Sequence, residues 1–441
     1  MKTGIVNIKY ALSHKTRFEG KFYLNENAFN SMLIERHQDS CLRLEQLADA
    51  FNPPVFKRQF CKKEGHSVAY YQSSDIATLL PSNVYIYKGQ ADKLNLLVKS
   101  GDILIAGFGT VIGDTCIATG MHEGACFANN VCRVRTFPDV KKGYLAAVLK
   151  SKYGKSMLNN NASGTAIRYI EAPRIKELLI PNFHDDFQKE VDDLIQESAR
   201  LREEAAEALE EAIAKFDTFF PDLFVGKKIG IISSKDIFSS INKRMEGSFH
   251  ISEGNDIDKF IKEHYEWKPL GDVCSSIFRP DIFKRYYVKN GITFLGGADI
   301  FLATPDSNKK LSIAKTENIN ALLIKEGTIL MPRSGTIGNV AWAHAGHAQK
   351  LASEHVIRLL PNDMLMAGYI YAFLASKYGK SLIQRYIFGS VIQHIEPPHL
   401  KLIPIPILDE VTMNLIHEKV MRYSTSIGHA IENERKAIRM V

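Results

Sequence analysis

No stretch of this 441-residue chain approaches the roughly 18 consecutive apolar residues of a membrane helix, so no membrane span is expected. Its first residues, MKTGIVNIKYALSHKTRF, lack an apolar signal core, so export is not expected either. The six cysteines (Cys41, Cys61, Cys116, Cys126, Cys132, Cys274) form no CxxC pair. That excludes a zinc ribbon or a disulfide scaffold and points to reduced thiols in a cytoplasmic protein. There is no low-complexity tract, and 441 residues exceed one ordinary core, so two large units or more are expected.

Signatures of catalysis are also lacking. Asn52-Pro53-Pro54-Val55 is close to the loop with which amino-methyltransferases hold a target nitrogen, but Val55 stands where an aromatic would stack on a flipped base. Gly107, Gly109 and Gly113 have the wrong spacing for a dinucleotide loop. The two Gly-Lys-Ser triplets have Leu149 and Leu374 where a phosphate-binding loop needs glycine. His344 and His347 have no Cys or carboxylate at ligand spacing, so neither a metal nor any other cofactor is expected in this chain.

Glycine and proline are both missing between Pro181 and Pro221. What fills that gap is a helix: Phe187, Val191, Leu194, Ser198, Leu201, Ala205, Ala208 and Ala212 step by four and three, the seam of a coiled coil. Twelve carboxylates against four Lys or Arg give residues 182–220 a net charge of −8, which leaves about +15 on the rest of a chain whose total is +7. A basic body around an acidic helix points to a polyanionic partner. After Pro404 and Pro406 a second helix shows the same stepping: Ile416, Val420, Tyr423, Ile427, Ala430, Glu434, Ala437 and Val441, with Glu434 the one charge in the seam. At about 1.5 Å per residue each helix spans roughly 50 Å.

The chain is also an internal repeat. GDILIAGFGTVIG (Gly101–Gly113) matches GTILMPRSGTIG (Gly327–Gly338), and SKYGKS occurs at both Ser151–Ser156 and Ser376–Ser381. Gly143-Tyr144 matches Gly368-Tyr369, and Gly164-Thr165-Ala166-Ile167 matches Gly389-Ser390-Val391-Ile392. Ile170-Glu171 matches Ile395-Glu396, Arg17–Gly20 matches Arg244–Gly247, and Phe56-Lys57-Arg58 matches Phe283-Lys284-Arg285. The offset stays between about 224 and 227. Each copy reads as α+β: a short helix, β-rich segments such as Ser82–Lys88 and Asp102–Ala106, a helical pair, a proline-rich exit and a long helix. The Gly-Thr turns read as hairpins in which Gly109, Gly113, Gly335 and Gly338 supply positive φ or close packing.

Two diverged repeats carrying these turns, the later Gly-(Thr/Ser)-x-Ile loop, the Pro-x-Pro exit and a long helix resemble the DNA-specificity subunit of Type I restriction–modification systems. The second turn, Arg333-Ser334-Gly335-Thr336-Ile337-Gly338, is the nearer match; the first has Gly107-Phe108 in place of Arg333-Ser334. The resemblance implies two target-recognition domains (1–181 and 221–406) separated by a pair of antiparallel coiled-coil helices (182–220 and 407–441). It implies a non-catalytic subunit that reads a two-part site on double-stranded DNA. Its partners would be two modification subunits that methylate adenine from S-adenosylmethionine and, in the full complex, two restriction subunits that use ATP and Mg. The outward acidic residues Glu203, Glu207, Glu210 and Glu211 are candidate docking points for those partners. The rival classes are a self-contained or orphan DNA methyltransferase with diverged motifs and a standalone DNA-binding regulator.

Base reading needs Arg or Lys toward guanine and Asn or Gln toward adenine, on turns that reach a groove. In the first repeat the candidates are Lys57, Arg58, Gln59, Tyr71, Gln72, Arg168 and Tyr169. In the second they are Lys284, Arg285, Tyr286, Arg333, Ser334, Gln393 and His394. Lys57-Arg58 aligns with Lys284-Arg285, whereas Arg168-Tyr169 aligns with Gln393-His394, the change of chemistry that two different half-sites require.

Overall fold

The computed structural model describes residues 23–78, 82, 84–164, 167–221, 229–240, 243–389 and 392–441, together with Ile5, Ile8 and Leu12. Arg17–Gly20, Asn83, Thr165, Ala166, Ser390 and Val391 of the repeated or expected segments lie outside the described residues. The chain is mixed α/β and divides into two compact units, one built from residues up to Glu203 together with His429–Val441, the other from Glu204–Gly428. Each of the two long helices, the central Asp185–Ala214 and the terminal Glu410–Met440, therefore contributes to both.

In the first unit β1 (Cys41–Arg43) pairs antiparallel with β10 (Leu179–Pro181). A four-stranded antiparallel sheet runs in the order β2 (Ala48–Phe51), β9 (Val131–Thr136), β6 (Ile103–Ala106), β7 (Thr115–Ile117). All four residues of β6 are buried, as a continuous apolar run in a covered strand should be. A second sheet has the order β3 (Phe60–Cys61), β5 (Tyr85–Tyr87), β4 (Ser67–Tyr71), β8 (Cys126–Phe127), with β4 and β8 parallel. Helix α1 (Glu26–Glu35), capped by the Asn25 side chain, lies against α3 (Lys152–Asn161), which follows α2 (Lys142–Lys150).

The second unit repeats this plan. β11 (Glu266–Pro269) pairs with β19 (Pro404–Ile407), as β1 does with β10. β12 (Cys274–Phe278), β18 (Val356–Pro361), β15 (Ile329–Pro332) and β16 (Ala341–Trp342) form the antiparallel sheet in the same order. β14 (Lys310–Leu311), β13 (Tyr287–Leu295) and β17 (Leu351–Ala352) form a smaller sheet with β13 and β17 parallel. Helix α4 (Glu253–His264) packs on α6 (Lys377–Arg385), preceded by α5 (Met364–Ala375).

The repeated motifs turn out to be packing devices. Ser151 and Ser376 cap the first turns of α3 and α6 by accepting the amides of Gly154 and Gly379, each at 3.2 Å. A Cβ on Gly154 would lie 2.1 Å from the Val148 carbonyl, and one on Gly379 2.2 Å from that of Phe373, so each SKYGKS glycine permits a close helix-to-helix corner. Gly143 abuts the central helix and donates its amide to Asp192 Oδ1 at 2.6 Å, whereas Gly368 abuts the terminal helix and donates to His417 Nδ1 at 3.2 Å. The next residues, Tyr144 and Tyr369, donate their hydroxyls to the carbonyls of Pro181 and Pro406 at 2.5 and 2.6 Å. Gly109, Gly113, Gly335 and Gly338 all have φ between 73° and 101°, the region expected of their turns.

Most heptad positions are buried, while Phe187, Leu194, Tyr423 and Val441 are half-buried. Val191, Ser198, Leu201, Ala205, Ala208 and Ala212 are buried in the central helix, and Ile416, Val420, Ile427, Ala430, Glu434 and Ala437 in the terminal one. In the first unit the Ser198 hydroxyl donates to the Ala430 carbonyl at 2.7 Å, and Arg202 donates to Glu434 at 2.7 Å while Lys150 closes the other side of that carboxylate. In the second unit Arg422 and Lys419 pair with Glu204 and Glu211.

Burial alone would raise the Glu434 pKa, but Lys150 and Arg202 hold it down at about 2, below its ordinary value of 4.5. The stabilisation from this carboxylate is thus fully present above about pH 4.5 and is lost as pH falls toward 2. Replacing Glu434 by Ala strands two cations in the seam, and a loss of about 3–5 kcal/mol is expected in chemical denaturation at pH 7. Between pH 5 and 3 the wild type should lose stability more steeply than Glu434→Gln.

Candidate nucleic-acid interface

In the second unit β12 and β15 both flank β18 and both run antiparallel to it, so their C-terminal ends meet at one end of the sheet. Arg279 follows β12 and Arg333 follows β15 at that end, and Glu354-His355 lead into β18 beside them. One carboxylate joins the two arginines: Arg333 Nε donates to Glu396 Oε1 at 2.6 Å, and Arg279 Nε donates to Glu396 Oε2 at 3.3 Å. Arg285 donates to Glu354 Oε1 at 2.6 Å, a bond that raises the arginine's pKa. Burial pushes the Glu354 carboxyl up, yet the bond and charge of Arg285 together with the backbone and Ser353 hydrogen bonds hold the acid below its ordinary value.

The later loop meets the same turn. Ser334 bridges to His394, and the Ile395 amide donates to the Arg333 carbonyl at 3.0 Å. Arg333, Ser334 and His394 are half-buried, and Gln393 is exposed beside them. Lys284 is exposed with its ammonium 5.3 Å from the Tyr286 ring centroid. The structure thus gathers Arg285, Arg333, Ser334, Gln393 and His394 at one sheet end, and it adds Arg279, Glu354, His355 and Glu396, which the sequence reading missed. Arg279, Glu354 and His355 were signalled only by their place at a strand end, and Glu396 only by the repeated Ile-Glu pair.

The first unit builds the same place from different chemistry. Phe51 pairs with Arg133 as Phe278 pairs with Arg358, so Asn52 stands where the second unit has Arg279. Asn129 and Asn130 stand in place of Glu354 and His355, and Gly107 in place of Arg333. The Asn52 side chain is engaged by backbone on both sides, donating to the Asn129 carbonyl at 3.3 Å and accepting the Ala172 amide at 2.9 Å. Phe108 bridges to Tyr169, and Phe108, Ile167 and Tyr169 are exposed by 43%, 58% and 40%. Arg168 is exposed and donates to the Asn159 carbonyl. Lys57, Arg58 and Gln59 are exposed on the loop before β3, with Arg58 Nε 2.5 Å from the Tyr70 hydroxyl and the Gln59 amide held by Gln90. Gln72 is exposed and its amide donates to Asp75.

Two sequence expectations need correction. Tyr71 is 5% exposed and stacks on Phe127 at 4.7 Å, a core residue packed with Ile76, Val98 and Leu104 that no groove can reach. Glu203 is not an outward docking residue: it is half-buried and accepts the Gly120 amide. Glu207 and Glu210 are exposed, and Glu211 is exposed but paired with Lys419.

Two arginines are buried outright at the aligned positions of β9 and β18. Arg133 donates to the Leu96 and Leu97 carbonyls, and Arg358 to those of Leu322, Ala352 and Ser353, so each ties its sheet to neighbouring backbone. Burial pulls the Arg358 pKa down to about 10. Among the described residues no group of three or more metal-ligating side chains occurs, and the buried His347, pulled down to about 4, lies 2.9 Å from the Ile300 carbonyl. Burial pushes the Cys116 and Cys126 thiols up to about 11 and those of Cys132 and Cys274 to about 12. No helix among the described residues is long and apolar enough to cross a membrane.

Residues 262–414 match the family of the Type I restriction modification DNA specificity domain. That stretch lies within the second unit, and the family it resembles is the non-catalytic, DNA-recognising component of Type I restriction–modification systems. The first unit repeats the second unit's sheet order. No curated protein matches the chain by sequence. The chain is similar to the crystal structure of a Type-I restriction-modification system S subunit from M. genitalium, at 14% identity over 91% of this chain and 95% of that one, with a TM-score of 0.39. It is also similar to the HsdS subunit from Thermoanaerobacter tengcongensis, at 15% identity over 91% and 94%, with a TM-score of 0.28. A structure solved in work on assembly and conformational transition of the type I R-M system gives 13% identity over 90% and 93%, with a TM-score of 0.31.

The burial of Tyr71 separates fold from recognition. Tyr71→Ala should cost about 3–5 kcal/mol in thermal or chemical unfolding, whereas Tyr71→Phe should bind duplex DNA as the wild type does in a mobility-shift titration.

Proposed function

We propose that this chain is the recognition subunit that directs an adenine methyltransferase, and in a full complex a restriction nuclease, to a two-part, non-palindromic DNA site. The observation that carries the reading is the sheet end built twice on one plan with different side chains: Arg279, Arg333, Glu354 and Glu396 in one unit, Asn52, Gly107, Asn129 and an exposed Glu171 in the other. Equal scaffolds with unequal tips suit two unequal half-sites. In this reading residues 1–181 and 221–406 are target-recognition domains. Residues 182–220 and 407–441 pair as an antiparallel coiled coil that sets the spacer, on the order of 15 bp as an upper value for a helix of roughly 50 Å.

Two modification subunits supply S-adenosylmethionine chemistry and two restriction subunits supply ATP and Mg chemistry, all in the cytoplasm, while this chain holds no cofactor. The exposed Glu207 and Glu210 remain candidate docking points for those partners. A self-contained methyltransferase gains no support from Asn52, whose amide is committed to backbone on both sides.

The deciding experiment maps methylated adenines genome-wide in cells that carry this chain and its modification subunit. A bipartite motif is expected; a contiguous or palindromic motif would overturn the reading. Inserting four residues in the middle of the central helix should lengthen the spacer and leave both half-sites unchanged. Arg168→Ala should relax one half-site alone, by about 1–3 kcal/mol if the arginine reads a base.

A further inference from the structure

Among the described residues, the ionic cluster of the second unit has no counterpart in the first. Both sheets nevertheless form with the same strand order and pairing, so the fold does not require the charges. Glu171, at the place of Glu396, is exposed, and the arginines that occupy Glu396 are replaced there by Asn52 and Gly107.

The way Glu396 holds its arginines is informative. It engages both guanidiniums through Nε, and among the described residues no bond to the Nη atoms of either arginine is formed. Side-chain exposures of 25% for Arg279 and 21% for Arg333 keep both within reach of a ligand. Two guanidiniums against one carboxylate leave a net positive charge at the sheet end. An unrestrained arginine has a large rotamer entropy to lose on binding, and a carboxylate that pins the Nε edge removes much of that loss while leaving the Nη fork open. An open, pre-oriented fork matches the O6 and N7 acceptors of guanine in the major groove. Charge attraction to phosphate needs no such orientation, since a mobile lysine serves as well.

Resting on the reading of this chain as a bipartite DNA-recognition subunit, we infer that Arg279 and Arg333 together read guanine in the half-site of the second unit. Glu396 is the positioning residue that sets both forks. Arg279 is thereby a specificity determinant in a position that in the first repeat is a structural asparagine. The half-site of the first unit is read without this pair.

The test is selection of bound duplexes from a randomised DNA pool by the full chain. The wild type should select a two-part motif with guanine in one half. Arg279→Ala and Arg333→Ala should each lower the preference for guanine at one or two positions of that half by roughly 10- to 100-fold, leaving the other half intact. Arg279→Lys keeps the charge but not the fork, so it should retain overall affinity and lose the same discrimination. Glu396→Ala should relax the positions affected by both arginine variants, and Glu396→Asp should restore part of the preference, which a merely structural loss would not do.

The inference is overturned if Arg279→Ala weakens all duplexes evenly and lowers the salt slope by about 1, the mark of a phosphate contact. It is overturned equally if the relaxed positions are A·T pairs, or if Arg279→Lys behaves as wild type. A wild-type chain that selects no two-part motif would remove the functional reading itself. A two-part motif insensitive to Arg279 would remove only this inference.

Discussion

Neither globular part completes its own core; each needs an apolar stripe from the long helices. Val191 and Ile195 of the central helix and Ala437 of the terminal helix close the first core, and Ala212, Ile416 and Val420 close the second. A single 30-residue helix without glycine or proline must therefore remain continuous while serving two cores. Its seam is lined with Ala205, Ala208 and Ala212, which hold little apolar area but let a neighbouring backbone come close. The glycines at 143 and 368 do the same from the globular side, since a Cβ there would come within 2.8 and 3.0 Å of a helix carbonyl. Close approach then makes polar seam residues expensive unless satisfied. Ser198 meets a carbonyl and Glu434 meets two cations.

On this shared scaffold the two units diverge where divergence is tolerated. The buried devices are retained pair by pair: Ser151 with Ser376, Tyr144 with Tyr369, Arg133 with Arg358. Each satisfies a backbone group that would otherwise be buried without a partner. At the sheet ends, where water or a ligand can satisfy polar groups, asparagines and glycine in one unit stand at the positions of arginines and glutamates in the other. Their burial and bonding decide what they can do. Arg133 and Arg358 spend their donors on carbonyls inside the protein, whereas Arg279 and Arg333 keep theirs at the surface.

The fold plan was legible because it rests on local physics. Steps of four and three mark a stripe that one helix face must bury, and Val191, Ser198, Leu201 and Ala205 on that stripe are buried. Glycine turns need positive φ wherever they stand, so Gly109 and Gly335 announced themselves. The paired offset made the second copy a check on the first. Aligning Val131-Cys132-Arg133 with Val356-Ile357-Arg358 by that offset also exposes the buried arginines.

Individual roles were less legible, because a polar side chain's meaning depends on what distant chain brings to it. Glu396 lies 63 residues from Arg333 and 117 from Arg279, and nothing local to any of the three announces the cluster. Tyr71 and Gln72 are adjacent in sequence, yet Tyr71 ends β4 packed against Phe127 while Gln72, just beyond the strand, is exposed. Glu203 reads as one more acid on an acidic helix until Gly120 is folded against it. Periodicity and repetition are properties of the chain itself, so they settle the helices, the turns and the duplication. Which charges are paired and which stay open to a ligand is a property of long-range contact, set when β12, β15 and the Glu396 loop come together.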